Sequence, residues 1–432
     1  MTTMQPHTAS AAPDASVGEA VSAARAAQRR WASLSLPERL KPLRRLRHRI
    51  ASAASDLAAS IASTHRTGAE KLASEVIPLA DAIRFLERDA PRLLRPTQYG
   101  RRGRPLWLGR THLEVRREPF GVVLIVAPSN YPLFLPGVQA VQALAAGNAV
   151  LIKPAPGHAA PVRLLRSLAE LPRDLLQILP EDVGAVDAAV RAGVDKVVFT
   201  GSADNGATVL SNLAEHLVPS TMELSGHDAV FVCDDADLDL VAQSVAYGLA
   251  LNGGATCIAP RRVFVPRNLA AALESKLAPL VASGDAGSAV SIVPVADLDQ
   301  ALQIDAECPY ALGASIFGSP ASASRVAGRV NAGCVVINDV IVPTADPRLP
   351  FGGRGRSGFG VTRGAEGLLE MTRLKAVATR AGSFRPHLQP PHPLDGDLFR
   401  HYLTAAHGPS LTARFRGALD VVRTLFARDR TS

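Results

Sequence analysis

Between Val17 and about Arg95, apolar residues recur at intervals of three and four. Trp31, Leu34 and Leu36 lead into Leu40, Leu43, Leu46 and Ile50, with arginines between them. That period predicts amphipathic helices, and Pro37 stands where one would begin. The polar, small-residue segment 1–15 is expected to be disordered. Two short extended runs, 105–109 and 111–116, predict a hairpin arm near 104–117. From Gly121 the rhythm changes. The apolar runs GVVLIVAP, NAVLIKP, LLQILP and KVVFTGS alternate with helical stretches over 133–146, through 171, near 183–192 and to about 216. Buried apolar strands separated by helices predict an α/β fold with a parallel sheet covered on both faces, its ligand sites at the carboxyl ends of the strands. After TMELSG a second α/β unit is expected, with Asp235 or Asp237 capping a helix to about Leu251 and further alternation through VVIND to PFGG. The expected boundaries are 16–226, 227–381 and a tail over 382–432. In the tail Leu411, Phe415, Leu419, Val422 and Phe426 share one helix face, and four arginines spread over the rest.

Composition narrows the function classes. A chain of 432 residues with 47% hydrophobic and 20% charged positions suits two or three folded domains. The net charge of +8 comes from 41 arginines and only six lysines, scattered along the chain with 5% aromatics. No basic stripe interleaved with stacking rings appears, so nucleic acid is not an expected partner. The four cysteines Cys233, Cys257, Cys308 and Cys334 form no C-x-x-C pair and have no histidine at metal-ligand spacing, so neither a metal site nor a disulfide framework is expected. The N-terminus carries no secretory pattern and no apolar run is long enough to span a bilayer, from which a cytoplasmic setting follows as the expectation.

Chemistry gathers in six short motifs: APSNYP around Asn130, LIKPAP around Lys153, FTGS ending at Ser202, MELSG around Glu223, NGGATC ending at Cys257, and PFGG from Pro350 to Gly353. Cys257 follows a side-chain-poor Asn-Gly-Gly turn, where a thiol can be presented to a carbonyl carbon. The bland alternative, a buried apolar cysteine, is retained for Cys233, Cys308 and Cys334. Asn130 lies between a strand and a helix, where its amide can donate to an oxyanion or serve as a turn former. Glu223 is an isolated acid at a strand end among apolar neighbours. Lys153 is one of six lysines and directly follows a buried run, an odd place for a casual surface charge. Gly201, Ser202 and Gly206 open a helix whose backbone N–H groups can face a phosphate, although they do not form G-x-G-x-x-G.

Taken together, in this order and with 23 positions from Asn130 to Lys153 and 34 from Glu223 to Cys257, the set resembles the aldehyde dehydrogenase superfamily over roughly residues 16–380. The resemblance implies a Rossmann-type cofactor domain within 16–226, a catalytic domain within 227–381 and an oligomerisation arm. It implies that Cys257 attacks an aldehyde, that Asn130 with the Cys257 amide holds the oxyanion, and that Glu223 activates water against the thioester. It assigns Lys153, Gly201, Ser202, Gly206, Pro128, Ser129 and Leu224 to a nicotinamide cofactor, and implies a homodimer or homotetramer. Glu223 favours hydrolysis over the alternative of an acyl-CoA or acyl-phosphate reductase.

Two positions depart from the family pattern. Pro156 stands where NAD-dependent relatives carry a glutamate that repels a 2′-phosphate, so either NAD or NADP is expected, with His158 or Arg163 as neighbours that would favour the latter. The E-x-F-G-P segment, whose glutamate grips the nicotinamide ribose, is missing between Cys257 and PFGG, an interval of 93 positions. The gap falls at SGDAGSA, 283–289, and Phe317, Gly318 and Pro320 only mimic the lost motif. A family member that binds without turning over is the alternative this loss raises. The tail helix is expected to dock on the protein itself or on a subunit, or to make a peripheral membrane contact suited to a long-chain aldehyde.

Overall fold

The computed structural model describes residues 11–282, 290–383 and 385–430, so the expected gap at 283–289 lies outside the described residues. Among the described residues sixteen strands are formed: β1 (Thr97–Tyr99), β2 (Thr111–Pro119), β3 (Val122–Val126), β4 (Ala149–Lys153), β5 (Leu176–Ile178), β6 (Lys196–Gly201), β7 (Ser220–Leu224), β8 (Asp228–Val232), β9 (Pro260–Pro266), β10 (Ser291–Val295), β11 (Tyr310–Ala311), β12 (Gly313–Phe317), β13 (Cys334–Ile337), β14 (Arg354–Gly355), β15 (Gly358–Phe359) and β16 (Thr372–Arg380). The expected parallel sheet is present, and the second α/β unit is built on a parallel sheet as well. A six-stranded sheet of order β15-β7-β6-β3-β4-β5 is parallel except for β15, and a five-stranded sheet of order β10-β9-β8-β12-β13 is parallel throughout.

Strands β3 and β4 are buried at every position, which is why they read as unbroken apolar runs rather than alternating ones. The helix Phe134–Ala146 is buried on all sides. Helices Leu36–Ser52 and Ile77–Leu93 cover it, placing Leu40, Leu43, Leu46 and Ile50 in the core as their spacing predicted. It ends at Gly147, whose φ of 100° is the left-handed stop that glycine adopts without strain. In the second sheet Asp237 caps the helix Leu238–Ala250 by accepting from Asp239 and Leu240 N–H groups, whereas Asp235 accepts from Ser319.

Three expectations are corrected. The helix predicted from Val17 begins at Ala11, so 11–15 are helical rather than disordered, and 1–10 lie outside the described residues. The run 105–109 is not a strand: Leu106–Leu108 form a 3-10 turn, and β2 pairs instead with β1 and β16, because Gly103 and Gly109 at positive φ bend the backbone on either side. Finally, β15, from within 227–381, belongs to the first sheet and pairs with β7, so the chain returns to the sheet it had left.

The chain clusters into two units, one within Met1–Gln98 and Glu114–Val377, the other within Tyr99–Leu113 and Ala378–Ser432. In the second, helices Asp395–His407 and Leu411–Asp429 form a hairpin, held by Arg428–Asp395 at 2.7 Å and by His401 Nδ1 to Thr424 Oγ1 at 3.0 Å. Gly417 permits the close crossing, since a Cβ there would lie 2.5 Å from the Ala405 nitrogen. Among the described residues no helix is long and apolar enough to cross a membrane.

Candidate active site

The Asn-Gly-Gly turn behaves as its composition demands. Asn252, Gly253 and Gly254 all have positive φ (54°, 59° and 74°), a run of left-handed backbone that few other residue triplets sustain. This abrupt turn ends the helix Leu238–Ala250 and delivers Thr256 and Cys257 to the carboxyl end of the first sheet. Gly226, in the crossing from β7 to β8, is required by close approach, because a Cβ there would lie 2.5 Å from the Cys257 carbonyl oxygen.

A second loop is stitched to this turn. Asn130 Nδ2 donates to the Ala255 carbonyl (2.8 Å), Asn252 Nδ2 donates to the Asn130 carbonyl (3.0 Å), and the Tyr131 and Thr256 hydroxyls meet at 2.6 Å. An amide nitrogen carries two hydrogens, so the Ala255 contact leaves Asn130 a second N–H to donate. Burial pushes the Tyr131 phenol up to about 12. Beneath the loop Arg66 Nη2 pairs with Glu75 at 2.7 Å and also donates to the Asn130 carbonyl at 3.1 Å. Glu75 in turn accepts from the Leu133 and Phe134 N–H groups and caps the buried helix. Both charged side chains are 1% exposed or less. Truncating Glu75 to alanine leaves a buried guanidinium without its partner, and the expected cost is about 3–5 kcal/mol of folding stability. A denaturation midpoint unchanged in Glu75→Ala would refute this.

Two cavities meet at Cys257. The larger, about 770 Å³, runs along the carboxyl ends of β3, β4, β6 and β7 and is lined by Pro128, Ser129, Asn130, Lys153, Gly201, Ser202 and Leu224. The smaller, about 250 Å³, is walled by Tyr131, Phe134, Tyr247, Ile341, Phe351 and Arg363. Cys257, Glu223, Leu135 and Thr256 line both. A thiol and a carboxylate therefore stand where an elongated strand-end cleft opens into a compact, largely apolar chamber with four aromatic walls. Such an arrangement can bring two different molecules to one sulfur.

Burial dominates the electrostatics. It pushes the Cys257 thiol far up, with Glu223 and Asp228 adding to the shift, while Arg363 and the cysteine's own backbone N–H oppose it. It also raises the Glu223 carboxyl, opposed by the Arg363 charge and by the Thr362 hydroxyl, which donates to Glu223 Oε2 at 2.8 Å. The other oxygen, Oε1, is buried without a hydrogen-bond partner. Lys153 closes β4 and is buried, and its ammonium makes no ion pair or hydrogen bond among the described residues. Burial lowers its proton affinity, while Asp182 and Glu181 nearby raise it. Ser202 caps the helix Ala203–His216 by accepting from Asn205 N–H at 3.3 Å.

Of the ten sequence-predicted site residues, nine line the larger cavity; Gly206 does not. Gly206 faces Leu224, and a Cβ there would lie 2.6 Å from that side chain, so it serves the close packing of helix on sheet. Pro156 lines the cavity, but His158 and Arg163 do not. His158 instead opens onto a separate hollow with His65 and Arg66. Phe317 is buried in the second core, and Gly318 and Pro320 line neither cavity. Cys233 is buried, and Cys308 and Cys334 are half-buried away from both cavities. Sequence reasoning missed Thr362 and Arg363, which lie outside every motif it used; the only signal was an arginine shortly after a Gly-rich run.

The Aldehyde dehydrogenase family pattern matches residues 2–290 and 285–377, two stretches that meet where the E-x-F-G-P segment is missing. A protein from Methylomonas sp. named 4,4'-diapolycopene aldehyde oxidase is 29% identical, over 79% of this chain and 77% of its own. The fold is shared with a Mycobacterium tuberculosis aldehyde dehydrogenase solved with NAD+, at a TM-score of 0.78 and 22% identity over 86% of this chain and 92% of that one. It is shared equally with an NADP-dependent enzyme from E. coli, at a TM-score of 0.78 and 21% identity over 85% of this chain and 90% of that one. With the pattern matched along most of its length, and with thiol, carboxylate, amide and lysine brought to one cleft, the chain belongs to the aldehyde dehydrogenase family.

Proposed function

We propose that this aldehyde dehydrogenase oxidises its substrate to a carboxylic acid with NAD or NADP through a covalent thioester on Cys257. The observation that carries the reading is the shared position of Cys257 and Glu223 on both cavities. The Cys257 thiolate adds to the aldehyde carbonyl, making a carbon–sulfur bond and an alkoxide. That oxyanion is held by the second N–H of Asn130 and by the Cys257 backbone N–H. Loss of hydride from the same carbon leaves the thioester. Glu223 then takes a proton from water, whose oxygen attacks the acyl carbon and releases the acid and the thiolate. The chamber walled by Tyr131, Phe134, Tyr247 and Phe351 suits an apolar aldehyde.

The residues of the larger cavity fit a dinucleotide. Lys153 is a buried ammonium without a partner among the described residues, suited to ribose hydroxyls, and the N-terminus of helix Ala203–His216 opens beside Gly201 and Ser202 where a pyrophosphate would be held. The bound nicotinamide supplies the hydride acceptor. Pro156 offers no carboxylate against a 2′-phosphate, which supports use of both cofactors. The only acids lining this cavity among the described residues are Glu223 and Asp187, and Asp187 already accepts from Asn212 at 2.6 Å. We assign no residue to the role of the missing ribose-gripping glutamate.

The test is an aldehyde panel with each cofactor, joined to calorimetry on the native protein and on Lys153→Met. Cofactor reduction is expected with at least one aldehyde. Loss of the ammonium should weaken both cofactors about tenfold or more, the worth of a hydrogen bond to a charged group. Failure of either cofactor to bind at millimolar concentration would sink the dehydrogenase reading.

For assembly we propose a homodimer or homotetramer, which light scattering would check. The tail hairpin leaves Phe399, Leu403, Leu411, Phe415 and Phe426 exposed, and this supports a peripheral membrane contact. That idea fails if the protein ignores anionic vesicles and deletion of 408–432 leaves its fractionation unchanged.

A further inference from the structure

A guanidinium taken out of water is ordinarily met by a carboxylate, as Arg66 is by Glu75 at 2.7 Å. Arg363 is the exception. It is 6% exposed and makes no ion pair among the described residues. Its Nη1 donates to the Thr344 carbonyl at 2.6 Å, its Nε is buried without an acceptor, and the guanidinium stands 4.2 Å from the centre of the Phe351 ring and 5.6 Å from that of Phe134. Those aromatic faces offset part of the desolvation, and the charge remains unneutralised.

The backbone adds a second peculiarity. Arg363 has φ = 63°, unusual for a long side chain, in the turn that follows the reciprocal hydrogen bonds between Phe351 and Thr362 at 2.7 and 2.8 Å. This is the segment in which the Thr362 hydroxyl reaches Glu223 Oε2. One residue touches the carboxylate and the next supplies a cation to the wall of the same chamber.

The only other cation near that region among the described residues, Arg66 at 5.1 Å from the Tyr131 ring centre, is already paired with Glu75. Glu70, Glu223, Cys257, Tyr131 and Tyr247 line the chamber with Arg363, and Cys334 and Asp228 lie within electrostatic reach. Glu70 is engaged at its rim by the Thr67 N–H. Arg363 is the one basic side chain lining the chamber among the described residues.

We propose that Arg363 is a positioning residue of the reaction centre, its fixed guanidinium on the wall of the chamber that Cys257 and Glu223 line favouring the anionic form of each. The proposal rests on the roles given to those two residues above. The direction agrees: the Arg363 charge opposes the effect of burial at Glu223, Cys257 and Cys334 alike.

The experiment is the rate of Cys257 alkylation by iodoacetamide as a function of pH, read by mass at the Cys257 peptide, in the native protein, Arg363→Met, Arg363→Gln and Arg363→Lys. Loss of the charge should move the thiol titration up by about one unit or more, which is a tenfold or greater loss of alkylation rate at neutral pH, and lysine should restore much of it. Glutamine keeps a donor for Thr344 and serves where methionine does not fold. Superimposable profiles in folded native and Arg363→Gln proteins would overturn the proposal. So would a variant that loses rate only with aldehydes bearing a carboxylate, the result expected if Arg363 instead recognised an anionic substrate. If Cys257→Ala still oxidises aldehydes, the underlying mechanism fails; if Cys257 is essential and the profile does not move, this inference alone fails.

Discussion

Cys257→Ala is expected to lose aldehyde oxidation by on the order of 10⁴-fold or more in kcat, while NAD and NADP bind as they do to the native protein. The asymmetry follows from position. The sulfur lies on both cavities, whereas Lys153, Gly201 and Ser202, which line only the larger one, are untouched by its removal. Cys233, Cys308 and Cys334 line neither cavity and offer no substitute. The measurement is reduced-cofactor formation with the best aldehyde of the panel, beside calorimetry of cofactor binding. A variant within tenfold of native turnover would show that the thiol is not the nucleophile.

Glu223→Gln should separate the two halves of the reaction. Hydride loss does not need the carboxylate, so a burst of reduced cofactor stoichiometric with enzyme is expected, followed by steady turnover lower by about 10²–10⁴-fold. The acyl group should remain on Cys257 and be visible as added mass on that peptide. The pH dependence carries a sign as well. Burial raises the Glu223 carboxyl above its usual range, and a base acts only when ionised. Native steady-state turnover should therefore rise as pH climbs through that raised value, displaced upward from about 4.3, and the limb should vanish in the glutamine variant. Full turnover in Glu223→Gln, together with a requirement for coenzyme A, would instead favour acyl transfer to a thiol, the reductase alternative.

The chemistry was legible where it is local. Asn130, Lys153, Ser202 and Glu223 each sit at or just beyond the end of a buried strand, and a run buried on both faces announces itself as unbroken apolar sequence. The Asn252-Gly253-Gly254 turn was equally readable, because left-handed backbone selects its own residues. Gly206 shows the limit: a glycine at a helix start reads as a phosphate contact, yet its open side faces Leu224. The strand placed at 105–109, as the first arm of a hairpin with 111–116, failed for a similar reason, since short apolar runs carry no partner information.

Sequence alone therefore determined the first parallel sheet, the strand–helix alternation of a second unit and the family, and it singled out the thiol, the amide, the carboxylate and the lysine as candidates, all through patterns a few residues long. Tertiary structure alone decided which groups surround them. Thr362 reaches Glu223 across 139 positions, and Arg66 reaches the Asn130 carbonyl across 64. Whether Arg363 is a surface cation or a buried one is likewise invisible along the chain. Periodicity records which face of an element is buried, but the partners on the far side come from elsewhere in the chain, and the charge state of a buried group depends on them.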